Sequence, residues 1–103
     1  MKCETFVREN LPAIRALLSK ELTSRGLTQQ EAADKLYLTQ PAVAFYKGQA
    51  RGKKTKEISK ILGMQEKVEV LAQKILARQV SKEELEKEYC DFCSIISGKK
   101  GKE

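Results

Sequence analysis

An all-α fold is what this sequence predicts, and three observations predict it. Apolar residues recur at spacings of three and four, the period of a helix with one buried face. Helix punctuation follows in order, with Asn10, Thr28, Thr39, Thr55 and Ser81 as starts and Gly26, Gly63 and Gly98 as stops. The segments between these signals are joined by short loops. Six helical segments result, within the size range of one compact domain at 103 residues.

The first segment carries Leu11, Ile14, Leu18 and Leu22 on one face, and Phe6 and Val7 extend that face upstream. Pro12 disfavours a helical conformation at Leu11, so the helix is expected to start near Asn10 with Pro12 in its first turn. Arg25-Gly26 is the expected stop, because Gly26 adopts a left-handed backbone at little cost.

Residues 28–47 read as two short helices around a tight turn. Thr28 is an N-cap with Glu31 completing a capping box. Thr39 is a second N-cap, and Pro41 falls in the first turn, where a missing N–H costs little. The helices are expected at about 29–36 and 40–47, with Val43 packing on Ala33 and Leu36. Tyr46 is expected to stack in the core, with a hydrogen bond to phosphate as the alternative.

Residues 48–54 read as a loop. Thr55 is expected to cap a short helix with Ile58, Ile61 and Leu62 inward and Gly63 ending it. Residues 64–79 form the next amphipathic helix, with Val68, Leu71, Ala72, Ile75 and Leu76 on one side. Ser81 starts the last, with Glu84 in capping-box position and Leu85, Tyr89, Phe92 and Ile96 aligned along it. Gly98 is the expected stop, and 99–103 a disordered tail.

Charge is distributed unevenly. The total is +6. Lys47, Arg51, Lys53, Lys54, Lys56 and Lys60 stand against Glu57 alone, which puts +5 of it between residues 47 and 60. Such a cluster directly after a helix pair suits contact with phosphates. No apolar run approaches the roughly 18 residues of a membrane span. Met-Lys-Cys-Glu-Thr-Phe at the start lacks a signal-peptide stretch, so the expected location is cytoplasmic and no membrane partner is expected. With no His, no phosphate-binding glycine loop and no paired carboxylates in context, the chain is not expected to be an enzyme.

Three cysteines are present: Cys3, Cys90 and Cys93. An odd count without a signal peptide argues against a secreted disulfide framework. Cys90 and Cys93 sit three apart on one helical segment, where two thiols share a face. Three readings stay open: small buried apolar residues, a metal or cluster site with Cys3 as third ligand, and a redox switch. Zinc or an iron–sulfur cluster is the cofactor such a site would hold.

The stretch LTQQEAADKL-x-LTQPAV-xx-Y, residues 27–46, resembles the helix-turn-helix of Xre-type and lambda-repressor-like DNA-binding domains. The matching residues are Gln29, Glu31, Ala32, Ala33, Leu36, Leu38, Thr39, Gln40, Ala42, Val43 and Tyr46. Tyr37 stands where the family usually has Gly, and Ala44 where it often has Ser. The N-terminal Cys-Glu, Leu-Pro-Ala-Ile-Arg and Lys-Glu-Leu elements, with the distal Cys-x-x-Cys, look like a group of small archaeal predicted transcriptional regulators. In that group the N-terminal Cys and the distal pair appear together, which implies that the two ends meet.

The resemblance implies a helix-turn-helix bundle over 1–63, with a C-terminal extension over 64–98 for dimerisation or sensing, packed with it as one unit. It implies a sequence-specific, double-stranded DNA-binding transcriptional regulator acting as a homodimer, its recognition helix at about 40–47 in the major groove. Gln40 is the first base reader, through paired hydrogen bonds to adenine. Gln29 buttresses it or meets the backbone, and Thr39 bonds phosphate. Pro41 and Ala42 offer apolar contact to a thymine methyl. Ala44 and Lys47 lie a turn further on. Arg51, Lys53 and Lys54 supply phosphate contacts. Two other functions fit the same residues: a helical antitoxin-like interaction module, and a thiol- or metal-responsive protein with the helices as scaffold.

Overall fold

The computed structural model describes residues 10–101, and every regular element among them is a helix. In order these are α1 (Leu11–Ser24), α2 (Gln29–Leu36), α3 (Gln40–Gln49), α4 (Lys53–Ser59), α5 (Met64–Ala77) and α6 (Lys82–Gly101). The expected upstream face at Phe6 and Val7 lies outside the described residues.

α1 is the spine. It packs against each of the other five helices. It buries Leu11, Ile14, Leu17, Leu18 and Leu22, with Ala13 and Ala16 giving the small surfaces that let neighbours approach. One hydrophobic cluster runs from these residues through Ala32, Ala33, Leu36 and Val43 to Val68, Leu71, Ile75, Leu85, Tyr89 and Phe92. Burying a Leu-sized side chain contributes roughly 1.5–3 kcal/mol, and aliphatics make up most of this cluster, with Tyr89 and Phe92 as its aromatic members.

The first helix end follows its sequence signal. Gly26 has φ 111°, Gly26 N–H donates to Thr23 O at 3.1 Å, and Leu27 N–H reaches back to Leu22 O at 3.2 Å. This is the paired hydrogen-bond closure that a left-handed residue permits. α2 ends with the same pattern, but on Tyr37. Its φ is 59°, and Leu38 N–H donates to Ala33 O at 2.9 Å. The Tyr37 hydroxyl donates to Val80 O at 2.6 Å and accepts from Gln79 Nε2 at 3.1 Å. The turn after α2 is thereby tied to the segment between α5 and α6.

Several boundaries differ from expectation. Asn10 sits at the N-cap of α1 with Pro12 in the first turn, yet its side chain makes no cap hydrogen bond, because its backbone is already helical (φ −107°, ψ −32°). α3 runs on to Gln49. α4 starts at Lys53 behind Gly52, not behind Thr55, which is buried inside it. α4 also ends at Ser59, so the helical spacing that would turn Leu62 inward no longer applies, and Leu62 is 92% exposed. Gly63, with φ 86°, caps the start of α5. Leu76 is exposed at the edge of the α5 apolar face. α6 continues through Gly98 to Gly101, so the expected stop and the start of the tail both fall within a helix.

α5 and α6 are clamped by charge. Glu88 accepts from Lys74 Nζ at 2.6 Å and from Lys67 Nζ at 3.3 Å. Burial by itself would raise the Glu88 carboxyl, but the hydrogen bonds and charges of the two lysines outweigh it and hold the pKa below the usual carboxylate range. At the start of α6, Ser81 Oγ accepts from Glu84 N–H at 3.0 Å, while the Glu84 carboxylate turns to Arg78 rather than back to Ser81.

Candidate nucleic-acid interface

Two caps build the outward end of α2 and α3. At α2, Glu31 N–H donates to Thr28 Oγ1 at 3.0 Å and Thr28 N–H to Glu31 Oε1 at 2.9 Å, a complete capping box. At α3, Ala42 N–H donates to Thr39 Oγ1 at 3.2 Å. Each cap fixes the direction in which its helix begins. Gln29 and Gln40 are the first residues of the two helices, and the crossing of α2 on α3 brings them together. Gln40 Nε2 donates to Gln29 Oε1 at 2.6 Å. That bond uses one of the Gln40 amide hydrogens and leaves its carbonyl oxygen and second hydrogen for another partner.

The crossing is set by small residues. Ala32, Ala33 and Val43 are fully buried, and Leu36 nearly so. With Val43 inward, helical geometry sends residues 41, 44, 45 and 48 outward. Pro41, Ala44, Phe45 and Gly48 are exposed, while Gln40, Ala42, Tyr46 and Lys47 are half-buried. Phe45 is 60% exposed, and its ring meets the Tyr46 ring edge-on at 5.5 Å. Sequence reasoning passes over Phe45, although its spacing of four from Pro41 is enough to put it on this face.

Tyr46 is neither fully core nor free. Its hydroxyl accepts from Arg15 Nη1 at 3.4 Å, and the Arg15 guanidinium also lies 5.8 Å from the centre of the Tyr89 ring. Burial opposes the Arg15 charge, but the two phenols favour it and its pKa is raised overall. Burial pushes the Tyr89 phenol up, against the pull of Arg15, so it stays protonated at neutral pH. α3, α1 and α6 are thus joined through one guanidinium.

At the far end of α3 stand the cations. Arg51, Lys53 and Lys54 are exposed, as are Lys56 and Lys60. Among the described residues the ion pairs fall elsewhere, on Glu21, Glu84, Glu88 and Asp91. The first turn of α4 contains no acidic residue to offset its lysines. The outward side of α3 therefore carries an amide at its start and an apolar middle, and the chain after α3 carries exposed cations that outnumber Glu57.

The two described cysteines lie on α6 and not on the helix pair. Cys90 is exposed on α6, and Cys93 is half-buried and packed against the core. Cys3, with the expected meeting of the chain's two ends, lies outside the described residues. Among the described residues no three of Cys, His, Asp and Glu are grouped to hold a metal ion. Asp91, the nearest carboxylate in sequence, faces Lys67 at 3.8 Å. Two thiols are short of the four ligands of a structural zinc. No helix among the described residues is long and apolar enough to cross a membrane.

Compared with known proteins, the chain matches no protein family, no curated protein and no solved structure. Its functional reading rests on its own residues and their geometry.

Proposed function

We propose that this protein is a sequence-specific, double-stranded DNA-binding transcriptional regulator in which α2 and α3 act as a lambda-repressor-like helix-turn-helix. α3 is the recognition helix and enters the major groove. The observation that carries this reading is the hydrogen bond from Gln40 to Gln29, which holds a polar amide in one orientation at the outward start of α3. A glutamine so held offers one donor and one acceptor, the pair that adenine presents as N7 and N6 in the major groove. The exposed cations at Arg51, Lys53 and Lys54 add the sequence-independent phosphate attraction that such binding needs. At 10 residues α3 is about 15 Å long, long enough to cross a groove about 12 Å wide. One such unit covers little DNA, so binding as a homodimer over two half-sites is part of the proposal.

The test is selection of duplexes from a random library, followed by comparison of wild type with Gln40→Ala. The selected site should contain an adenine whose replacement weakens wild type by about 1–3 kcal/mol, and Gln40→Ala should be indifferent to that replacement. Selection yielding no sequence preference would overturn the proposal.

A further inference from the structure

The outward face of α3 has an apolar middle that the glutamine and the cations do not explain. Pro41, Ala44 and Phe45 lie side by side there, and Gly48 continues the face with open space beyond it. The other described phenylalanine, Phe92, is fully buried, so Phe45 at 60% exposure is out of keeping with how this chain otherwise uses the residue. Leaving such a side chain in water forgoes the burial energy it would gain in a core. The Tyr46 ring lies edge-on against it, and the Tyr46 hydroxyl accepts from Arg15. Along the chain this apolar ring stands between an amide at the start of α3 and a run of exposed cations that begins just after its end. The surface that complements this order is polyanionic at its margins and has apolar groups recessed between them. The major groove of duplex DNA has that form, and the thymine C5-methyl is its one apolar group.

We propose that Phe45 is a specificity-determining residue that reads thymine methyl groups in the major groove, beside the base pair read by Gln40. This rests on the DNA-binding reading above and adds to it the chemistry of the neighbouring positions. The preferred site then pairs an adenine contact with one or two adjacent thymines whose methyls pack on the Phe45 ring. A 5-methylcytosine at the same place substitutes for thymine in that contact, because it presents the same methyl.

The probe is the duplex selected from a random library, with each thymine replaced singly by deoxyuridine. This removes one methyl and leaves the base pairing unchanged. Wild type should lose about fourfold in affinity at one or two positions, the value of one buried methyl-sized group, and Phe45→Ala should show no such loss there. Thermal unfolding of Phe45→Ala followed by circular dichroism should match wild type, because the ring is outside the core. Wild-type binding indifferent to every deoxyuridine would overturn the proposal while leaving DNA binding intact. So would a Phe45→Ala variant that keeps the methyl dependence, or one that loses self-association and keeps methyl discrimination. If no duplex is selected at all, the DNA-binding reading fails and this one with it.

Discussion

Tyr37 carries a left-handed backbone that helix ends usually give to glycine. For a residue with a side chain that conformation costs about 1–2 kcal/mol. The hydroxyl recovers part of this by donating to Val80 O and accepting from Gln79. Tyr37→Phe keeps the strain and removes the hydroxyl, so it should lose about 1 kcal/mol in urea unfolding. Tyr37→Gly relieves the strain but loses the same bonds and gains freedom in the unfolded chain, so it should not exceed wild type. A Tyr37→Phe variant as stable as wild type would remove the latch from the account. The sequence makes the unusual turn residue visible, because a tyrosine stands where a glycine is expected. It does not reveal the latch, because the partner carbonyl is 43 residues away. The caps at Thr28 and Thr39 are legible for the opposite reason: their partners lie three residues on.

Among the elements, the pairing of α5 with α6 depends on a charge that the pH can remove. The folded pKa of Glu88 is lowered by Lys74 and Lys67, against the effect of burial. Its contribution is therefore fully present above the ordinary carboxylate value of about 4.3, and is lost as the pH falls through the lower folded value. Glu88→Gln should cost about 1–2 kcal/mol at pH 7, with the difference from wild type shrinking below about pH 4. Urea unfolding of both proteins between pH 3 and 7 measures this, and a difference that does not change with pH would contradict it.

Helix existence was readable throughout, since each amphipathic stretch kept its period. Boundaries were less so. Thr55 has the chemistry of a cap, but the chain already turns into the helix at Gly52, which leaves Thr55 buried. Leu62 fits an inward helical position only if α4 continues, and it stops at Ser59. Gly98 is a stop only where the backbone turns left-handed, and α6 passes through it.

At the scale of the whole molecule, α1 holds the other five helices. The charge asymmetry was plain from the sequence, since +5 of +6 falls within residues 47–60. That all of these cations but Lys47 are exposed, and that among the described residues the ion pairs lie elsewhere, needed the fold. The exposed ring of Phe45 was within reach of the sequence, because with Val43 packed inward its spacing of four from Pro41 puts it on the outer side of α3.

The proposed regulator holds duplex DNA through its phosphates and reads it through α3. The most direct measurement is the affinity for a selected duplex as salt rises from about 50 to 200 mM, for wild type and for the combined Arg51→Gln, Lys53→Gln, Lys54→Gln variant. Log affinity should fall linearly with log salt, with a slope of about −0.9 per phosphate neutralised. The variant should bind every sequence more weakly, with a slope shallower by about 2–3. Affinity that does not change with salt, or a variant with the wild-type slope, would contradict it.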